Sequence, residues 1–346
     1  MKVSYALFLI LFSFFLGCEP TSLEEPTGEE ANIRFQLIPP DQSGIRFVNS
    51  IPEDAYRNIL RYQYYYNGGG VAIGDVNQDG LPDICFSGNT TAPKLYLNQG
   101  NMQFQAVSEN SGLRLPGRVS WSTGISMVDI NADGRLDIYL CRSGNLQEEN
   151  RRNLLFINRG DGTFSEEAAR YGLDDPGYSI QAAFLDYDKD GDLDMFLTNH
   201  GIRFYGRDPQ GGVSNERNKL SGDKLYRNDG ARFTDVTQQS GIYERTFSYG
   251  LGVGVGDLNE DGWDDIYVSN DFFEHDYLYL NRQNGTFKES IKEATQQISF
   301  FGMGADLSDV NNDGLLDILV LDMTPADHFR RHTNLAGIKY DQFWDF

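Results

Sequence analysis

From residue 71 to residue 322 the chain repeats one pattern of apolar and polar positions. A short stretch of small and branched residues, such as Val71-Ala72-Ile73-Gly74 or Val253-Gly254-Val255-Gly256, leads into a polar segment dominated by Asp, Asn and Gly. An apolar run follows at once: Ile84-Cys85-Phe86, Ile138-Tyr139-Leu140, Met195-Phe196-Leu197, Ile266-Tyr267-Val268 and Ile318-Leu319-Val320. A third run ends in Asn at Asn98, Asn158, Asn228 and Asn281, and a Gly-containing turn then reaches Phe104, Phe164, Phe233 or Phe287. Runs this short, rich in β-branched and aromatic residues and bounded by turn residues, predict strands.

The polar segments share the pattern D-x-[ND]-x-D-G-x-x-D. They are Asp75–Asp83, Asp129–Asp137, Asp186–Asp194, Asp257–Asp265 and Asp309–Asp317, starting 54, 57, 71 and 52 positions apart. Self-similarity at that period predicts propeller blades or solenoid units. Four short strands per unit, with small residues on the first, fit an all-β propeller: inner strands crowd the axis and outer strands have room for aromatics. A flat solenoid is the alternative. Three fourth strands lead to Gly-Leu or Gly-Ile, at Gly112, Gly172 and Gly241. Phe35-Gln36-Leu37 with Ser43-Gly44-Ile45 reads as another fourth strand without its three predecessors, a candidate to close a ring. After Asp317 one strand is read and no third. The expectation for residues 33–346 is therefore four full blades and a partial fifth, an incomplete ring or a fragment of a longer chain.

The net charge of −22 changes the functional picture more than the fold. A surface so negative repels phosphate backbones, which excludes a nucleic-acid partner. Three cysteines make no disulfide framework. Residues 1–18 read as a lipoprotein-type signal peptide: Lys2, an apolar run from Tyr5 to Leu16 too short to span a bilayer, then Gly17-Cys18. Cys18 is the expected acylated residue. Residues 19–32, with Glu24, Glu25, Glu29 and Glu30 among Pro and Gly, read as an acidic flexible tether.

The nonapeptides carry the chemistry. A hard cation such as Ca²⁺ takes six to eight oxygens. Positions 1, 3 and 5 offer side-chain oxygens, Gly at position 6 permits the turn, position 7 offers its backbone carbonyl, and Asp at position 9 offers two oxygens. The candidate ligands are Asp75, Asn77, Asp79, Leu81 and Asp83; Asp129, Asn131, Asp133, Arg135 and Asp137; Asp186, Asp188, Asp190, Asp192 and Asp194; Asp257, Asn259, Asp261, Trp263 and Asp265; and Asp309, Asn311, Asp313, Leu315 and Asp317. An EF-hand is excluded, since position 12 is Phe86, Leu140, Leu197, Val268 or Val320 rather than an acid. The plain alternative is a set of Asx-rich turns. The Asp186 loop, with Asp188 and Asp192, is the most charged and the expected tightest binder.

The loops together with the Asn, Gly and Phe hairpins resemble FG-GAP (VCBS) repeats, the calcium-binding blades of integrin α-subunit propellers. Asn67-Gly68-Gly69-Gly70-Val71-Ala72, Phe184-Leu185-Asp186-Tyr187-Asp188, Ser269-Asn270-Asp271-Phe272 and Leu321-Asp322-Met323 are similar to the bacterial relatives of cartilage acidic protein, the ASPIC/UnbV-associated group. The resemblance covers nearly everything from residue 33. It implies about five structural calcium ions, and further repeats and a C-terminal module beyond this sequence.

Other candidates are weaker. His200, His275, His328 and His332 show no transition-metal spacing, and no nucleophile elbow, P-loop or dinucleotide fingerprint occurs. Cys85 and Cys141 fall on second strands, as buried small residues or, alternatively, as a disulfide. An insertion within 199–223 is a solvated excursion or a binding loop. Tyr62, Tyr64, Tyr65 and Tyr66 read as strand packing, or as a sugar-stacking platform. The expected function is a non-catalytic, exported calcium-binding scaffold for an envelope or extracellular protein or glycan, held at the outer membrane through a lipid anchor only. The alternative is an accessory part of a larger envelope enzyme or nutrient-uptake complex whose active portion lies outside this chain.

Overall fold

The structure, a computed structural model, describes residues 35–107, 109–117, 119–201, 217–246, 248–271, 274–299, 301–323 and 327. The signal peptide with Cys18, the tether, His328, His332 and most of the insertion within 199–223 lie outside these residues.

The chain divides into Met1–Pro39 and Pro40–Phe346. In the first unit, residues 35–39 carry no strand, and Phe35 and Leu37 are 93% and 91% exposed. The expected fourth strand is therefore not formed. A strand exists only beside a hydrogen-bonded neighbour, and among the described residues no strand pairs with Phe35–Leu37.

The second unit holds four antiparallel four-stranded sheets and one pair. Blade 1 is Val71–Gly74, Asp83–Phe86, Lys94–Asn98 and Phe104–Ala106. Blade 2 is Ser122–Val128, Asp137–Arg142, Leu154–Asn158 and Phe164–Glu166. Blade 3 is Ser179–Leu185, Asp194–Asn199, Lys224–Asn228 and Phe233–Asp235. Blade 4 is Gly250–Gly256, Asp265–Asn270, Tyr277–Asn281 and Phe287–Glu289. The fifth has Gly302–Ser308 and Asp317–Asp322. This is an all-β, propeller-like arc.

Each first strand lies beside the first strand of the next blade. The approach is close enough to demand small residues: a Cβ on Gly124 would sit 2.3 Å from the Ile180 carbonyl oxygen, and one on Gly252 would sit 2.5 Å from the Ala305 nitrogen. The cores lie between sheets. Tyr139, Leu155, Met195 and Tyr226 fill the gap between blades 2 and 3, and Phe196, Ile266, Val268 and Tyr279 that between blades 3 and 4. Among the described residues the outer faces of the end blades are only partly covered: Phe47 stacks on Phe86 of blade 1, while Ile73 and Leu321 are both 65% exposed. The arc is open.

The Gly-Leu and Gly-Ile signals sit differently from expectation. A short helical turn, Ala168–Tyr171 or Thr237–Ser240, separates the fourth strand from Gly172 or Gly241, whose left-handed backbone ends it. A Cβ on Gly172 or Gly241 would lie 2.9 or 2.8 Å from the carbonyl oxygen of Phe233 or Phe287 on the next blade. Gly44 makes the same approach to Phe104 in blade 1, so Ser43-Gly44-Ile45 keeps its place in the repeat although Phe35–Leu37 forms no strand.

Residues 49–65 run over the sheet ends opposite the Asp-rich loops. Six residues past the ninth loop position stand Asn89, Ser143, His200 and Asp271. Asn49 bonds Asn89 at 2.7 Å, and the Tyr62 hydroxyl meets Ser143 at 3.2 Å and His200 at 2.9 Å. Burial, and next the Asp271 carboxylate, push the Tyr64 hydroxyl well above its ordinary pKa. The tyrosines form a 3₁₀ turn over Gln63–Tyr66, not a strand. Tyr62, Tyr64 and Tyr65 are buried with Trp121 and Tyr249, which withdraws three rings from any sugar platform.

Candidate metal centre

All five nonapeptides fold alike, between the first and second strands. Position 4 carries a left-handed backbone at Gln78, Ala132, Lys189, Glu260 and Asn312, with φ of 62°, 55°, 59°, 59° and 60°, and glycine follows two places later. The side chains at positions 1 and 5 cap backbone amides in every loop, and in loops 1, 2, 4 and 5 the Asn at position 3 does so too. In loop 1, Asp75 accepts from the Asp79 and Gly80 nitrogens at 3.1 and 2.8 Å, and Asp79 accepts from Leu81 at 2.9 Å. Asn77 also accepts from Asp79, at 3.1 Å. Loops 2, 4 and 5 repeat these contacts around Asp129, Asn131 and Asp133, around Asp257, Asn259 and Asp261, and around Asp309, Asn311 and Asp313. The position-7 amides of Arg135, Trp263 and Leu315 close the same turn.

The ninth residue ties loop to sheet. Asp83, Asp137, Asp194 and Asp265 are fully buried. Each accepts one amide from its own loop and one from the third-strand Asn: for Asp83, Val76 at 3.0 Å and Asn98 at 2.8 Å. Among the described residues the fifth blade has no third strand, and Asp317 accepts only the loop amide, from Val310 at 3.1 Å. This double anchoring is a role that ligand counting alone did not assign.

Amide capping needs acceptors, not charge, and asparagine serves as well at position 5. The repeated carboxylates are electrostatically expensive. Burial first, then neighbouring carboxylates, raise Asp137 and Asp265 to about 6, while Asp194 reaches about 7. A bound cation reverses that cost.

Loop 3 fits a hard cation best. Carboxylate oxygens of Asp186, Asp188 and Asp194 lie within 4.8 Å of one another. Oδ1 of Asp188 and Oδ1 of Asp192 are buried without a hydrogen-bond partner, and burial with neighbouring charge raises Asp192 to about 6. Oxygen donors gathered this way suit Ca²⁺ rather than a soft metal. Loop 2 differs: Arg135 pairs with Asp133 of the same loop at 2.5 Å, which lessens its need for an ion.

The FG-GAP-like repeat model matches residues 75–140, 144–197 and 257–320. The chain belongs to the FG-GAP-like repeat family. It is similar to cartilage acidic protein 1 of Mus musculus, 27% identical over 286 residues that cover 79% of this chain and 42% of that protein. The Homo sapiens protein is 28% identical over 79% of this chain and 41% of its own length. This FG-GAP chain thus spans about two fifths of the curated relatives it matches. Among solved structures, an Agrocybe aegerita lectin described by its recognition of non-reducing terminal N-acetylglucosamine superposes with a TM-score of 0.40 at 17% identity, covering 72% of this chain and 59% of that one. The V. cholerae biofilm matrix protein Bap1 gives a TM-score of 0.32 at 10% identity, covering 73% and 59%.

Of the remaining sequence candidates, Cys85 and Cys141 are buried free thiols, so no disulfide joins them. His200 is buried, and burial lowers its pKa to about 4. Its Nδ1 donates to the Gly201 carbonyl at 2.8 Å, leaving Nε2 to accept from Ser143 or Tyr62, each 2.9 Å away. His275 lies 3.3 Å from Glu274, with no second metal-binding partner among the described residues.

Proposed function

We propose that this FG-GAP chain is an exported, calcium-loaded propeller scaffold that recognises a protein or glycan at the cell envelope and performs no chemistry itself. The carrying observation is loop 3, where three carboxylates converge and two buried carboxylate oxygens lack partners. Asp186, Asp188, Asp190, Asp192 and Asp194 would hold the ion there, and the corresponding oxygens of the other loops would hold theirs. The ion's part is structural: it screens the clustered carboxylates and fixes the turn that joins the first two strands of a blade. Five divalent ions would offset nearly half of the excess charge of −22.

The non-catalytic reading is supported by the state of the serine–histidine contact found among the described residues. Ser143 and His200 are fully buried beneath Tyr62, so no substrate reaches the hydroxyl. The cavity of about 390 Å³ beside blade 1 is lined by Pro93, Leu95, Val107, Leu113 and Leu115 with Lys94, Ser111 and Arg114, and holds no carboxylate or histidine among the described residues. Placement at the envelope rests on the leader pattern ending at Cys18 and the acidic stretch after it.

Thermal unfolding in calcium and in chelator tests the central claim. An ion at 100 times its dissociation constant adds about 2.7 kcal/mol per site. A large upward shift in calcium is expected. Equal midpoints in both buffers would reduce the loops to capped turns.

A further inference from the structure

The third-strand asparagines do more than cap their own blade. The Asn158 side chain donates to the Val76 carbonyl of loop 1 at 2.8 Å and to the Leu136 carbonyl of its own loop at 3.1 Å. Asn281 repeats the arrangement, donating to the Tyr187 carbonyl of loop 3 at 2.8 Å and to Asp264 at 3.3 Å. The backbone nitrogens of both residues cap the ninth loop residue of their own blade, Asp137 at 2.7 Å and Asp265 at 2.8 Å.

Two unbroken hydrogen-bond routes result. Oδ2 of Asp194 accepts from the Tyr187 nitrogen, the Tyr187 carbonyl accepts from Asn281, and the Asn281 nitrogen donates to Asp265. Loops 1 and 2 are joined in the same way through Asp83, Val76, Asn158 and Asp137. Side chains add a second bridge to each pair: Gln78 donates to the Gly134 carbonyl at 2.7 Å, and Lys189 stands 5.3 Å from the Trp263 ring. Among the described residues no such route joins loops 2 and 3, since Asn228 donates to Leu193 of its own blade.

We propose that the cation loops are coupled in pairs, loop 1 with loop 2 through Asn158 and loop 3 with loop 4 through Asn281. The proposal rests on the calcium reading above. An ion drawn into loop 3 fixes the Asp194 carboxylate and hence the Tyr187 peptide. Asn281, held between the Tyr187 carbonyl and the Asp265 carboxylate, is positioned with that backbone and so positions Asp265 for loop 4. Linkage makes the effect reciprocal. Asn158 and Asn281 are positioning residues, outside the candidate ligand sets.

Terbium, a luminescent substitute for calcium, is sensitised by Trp263 in loop 4 and, since that ring lies beside Lys189, in loop 3. The loop 4 signal is the part that survives disabling of loop 3 and is lost in Trp263→Phe. Disabling loop 3 with Asp188→Ala and Asp192→Ala removes none of the hydrogen bonds of the route. It is expected to weaken terbium binding at loop 4 at least about fivefold, the lower end of ordinary couplings. Asn281→Ala should abolish that dependence, and Asn158→Ala should leave it intact. An unchanged loop 4 affinity with loop 3 disabled would overturn the coupling while leaving the calcium reading in place, whether or not Asn281→Ala folds. Dependence that persists in a folded Asn281→Ala variant would also overturn it. Absence of Trp263-sensitised emission from the unaltered chain would overturn both readings.

Discussion

The Tyr267 hydroxyl donates to Oδ2 of Asp276 at 2.6 Å within blade 4. Blade 2 has the matching pair, Asn153 donating to the Tyr139 hydroxyl at 3.0 Å. In blade 3 the tyrosine is replaced by Phe196, and Oδ2 of the corresponding Asp223 is left buried without a hydrogen-bond partner. Burial raises Asp223 to about 8, only partly opposed by the Asn199 amide and the nearby Ser248 hydroxyl. Its folded-state pKa lies above that of an unfolded Asp, so its contribution to stability is whole below about pH 4 and is lost as the pH rises through 8. Asp223→Asn, the residue blade 2 uses at Asn153, should therefore stabilise the chain at pH 8 by on the order of 1 kcal/mol and change little at pH 4. Phe196→Tyr should gain a similar amount by supplying the missing hydroxyl. Urea unfolding of both variants at the two pH values checks the pair; a gain from Asp223→Asn that is equal at both would rule out the titration of this carboxyl.

His200 predicts the opposite slope. Its pKa is lowered to about 4 by burial, so the stability it contributes is present above pH 6.5 and is lost as the pH falls toward 4. Two hydroxyls share its single acceptor nitrogen, which makes Tyr62 and Ser143 partial substitutes for one another. Tyr62→Phe and Ser143→Ala should each cost about 1 kcal/mol or less in hydrogen bonding, and the double variant more than their sum. A double-mutant cycle by urea unfolding measures that excess. Strict additivity would mean that only one hydroxyl serves the ring.

The five nonapeptides, the strand runs and the small residues of the inner strands all follow from local pattern, because a blade is assembled almost wholly from contacts between neighbours in sequence. Most features that escaped the sequence reading act across blades. Asn158 reads as the end of a strand, and nothing nearby signals that it reaches Val76, 82 residues earlier. Tyr62–Tyr66 has a strand-like composition, but its rings are held by Trp121 and Tyr249, residues far along the chain that override local preference. Phe35–Leu37 carries the pattern of a fourth strand, and pattern alone supplies no hydrogen-bonding neighbour. The ninth aspartate was readable as a ligand; its second task needs the third-strand amide, which only the sheet brings near.

Position 4 of each loop stores strain that glycine would relieve. Glu260 is exposed and holds φ at 59°, a conformation that costs an ordinary residue about 1–2 kcal/mol. Glycine pays more backbone entropy but no steric penalty there. Glu260→Gly should raise stability by up to about 1 kcal/mol, whereas Glu260→Val, β-branched and poorly suited to positive φ, should lower it by more. Thermal midpoints of the two variants in one buffer give the sign directly.

Asp190→Asn separates turn capping from cation binding. Oδ1 of Asp190 accepts from the Asp192 amide at 3.2 Å, and an asparagine oxygen can do the same. What the substitution removes is charge. Asp190 is among the carboxylates that raise the pKa of Asp188 and Asp192, so its loss relieves repulsion when no ion is present. In chelator the variant should therefore melt at or above the temperature of the unaltered chain. In calcium it should melt lower, because one anionic ligand of the proposed loop 3 site would be gone and an occupied site would be worth several kcal/mol at saturating ion. The crossing of the two orders is the signature of a cation-holding loop. A variant that melts lower in chelator by the same margin as in calcium would show instead that Asp190 serves only the turn.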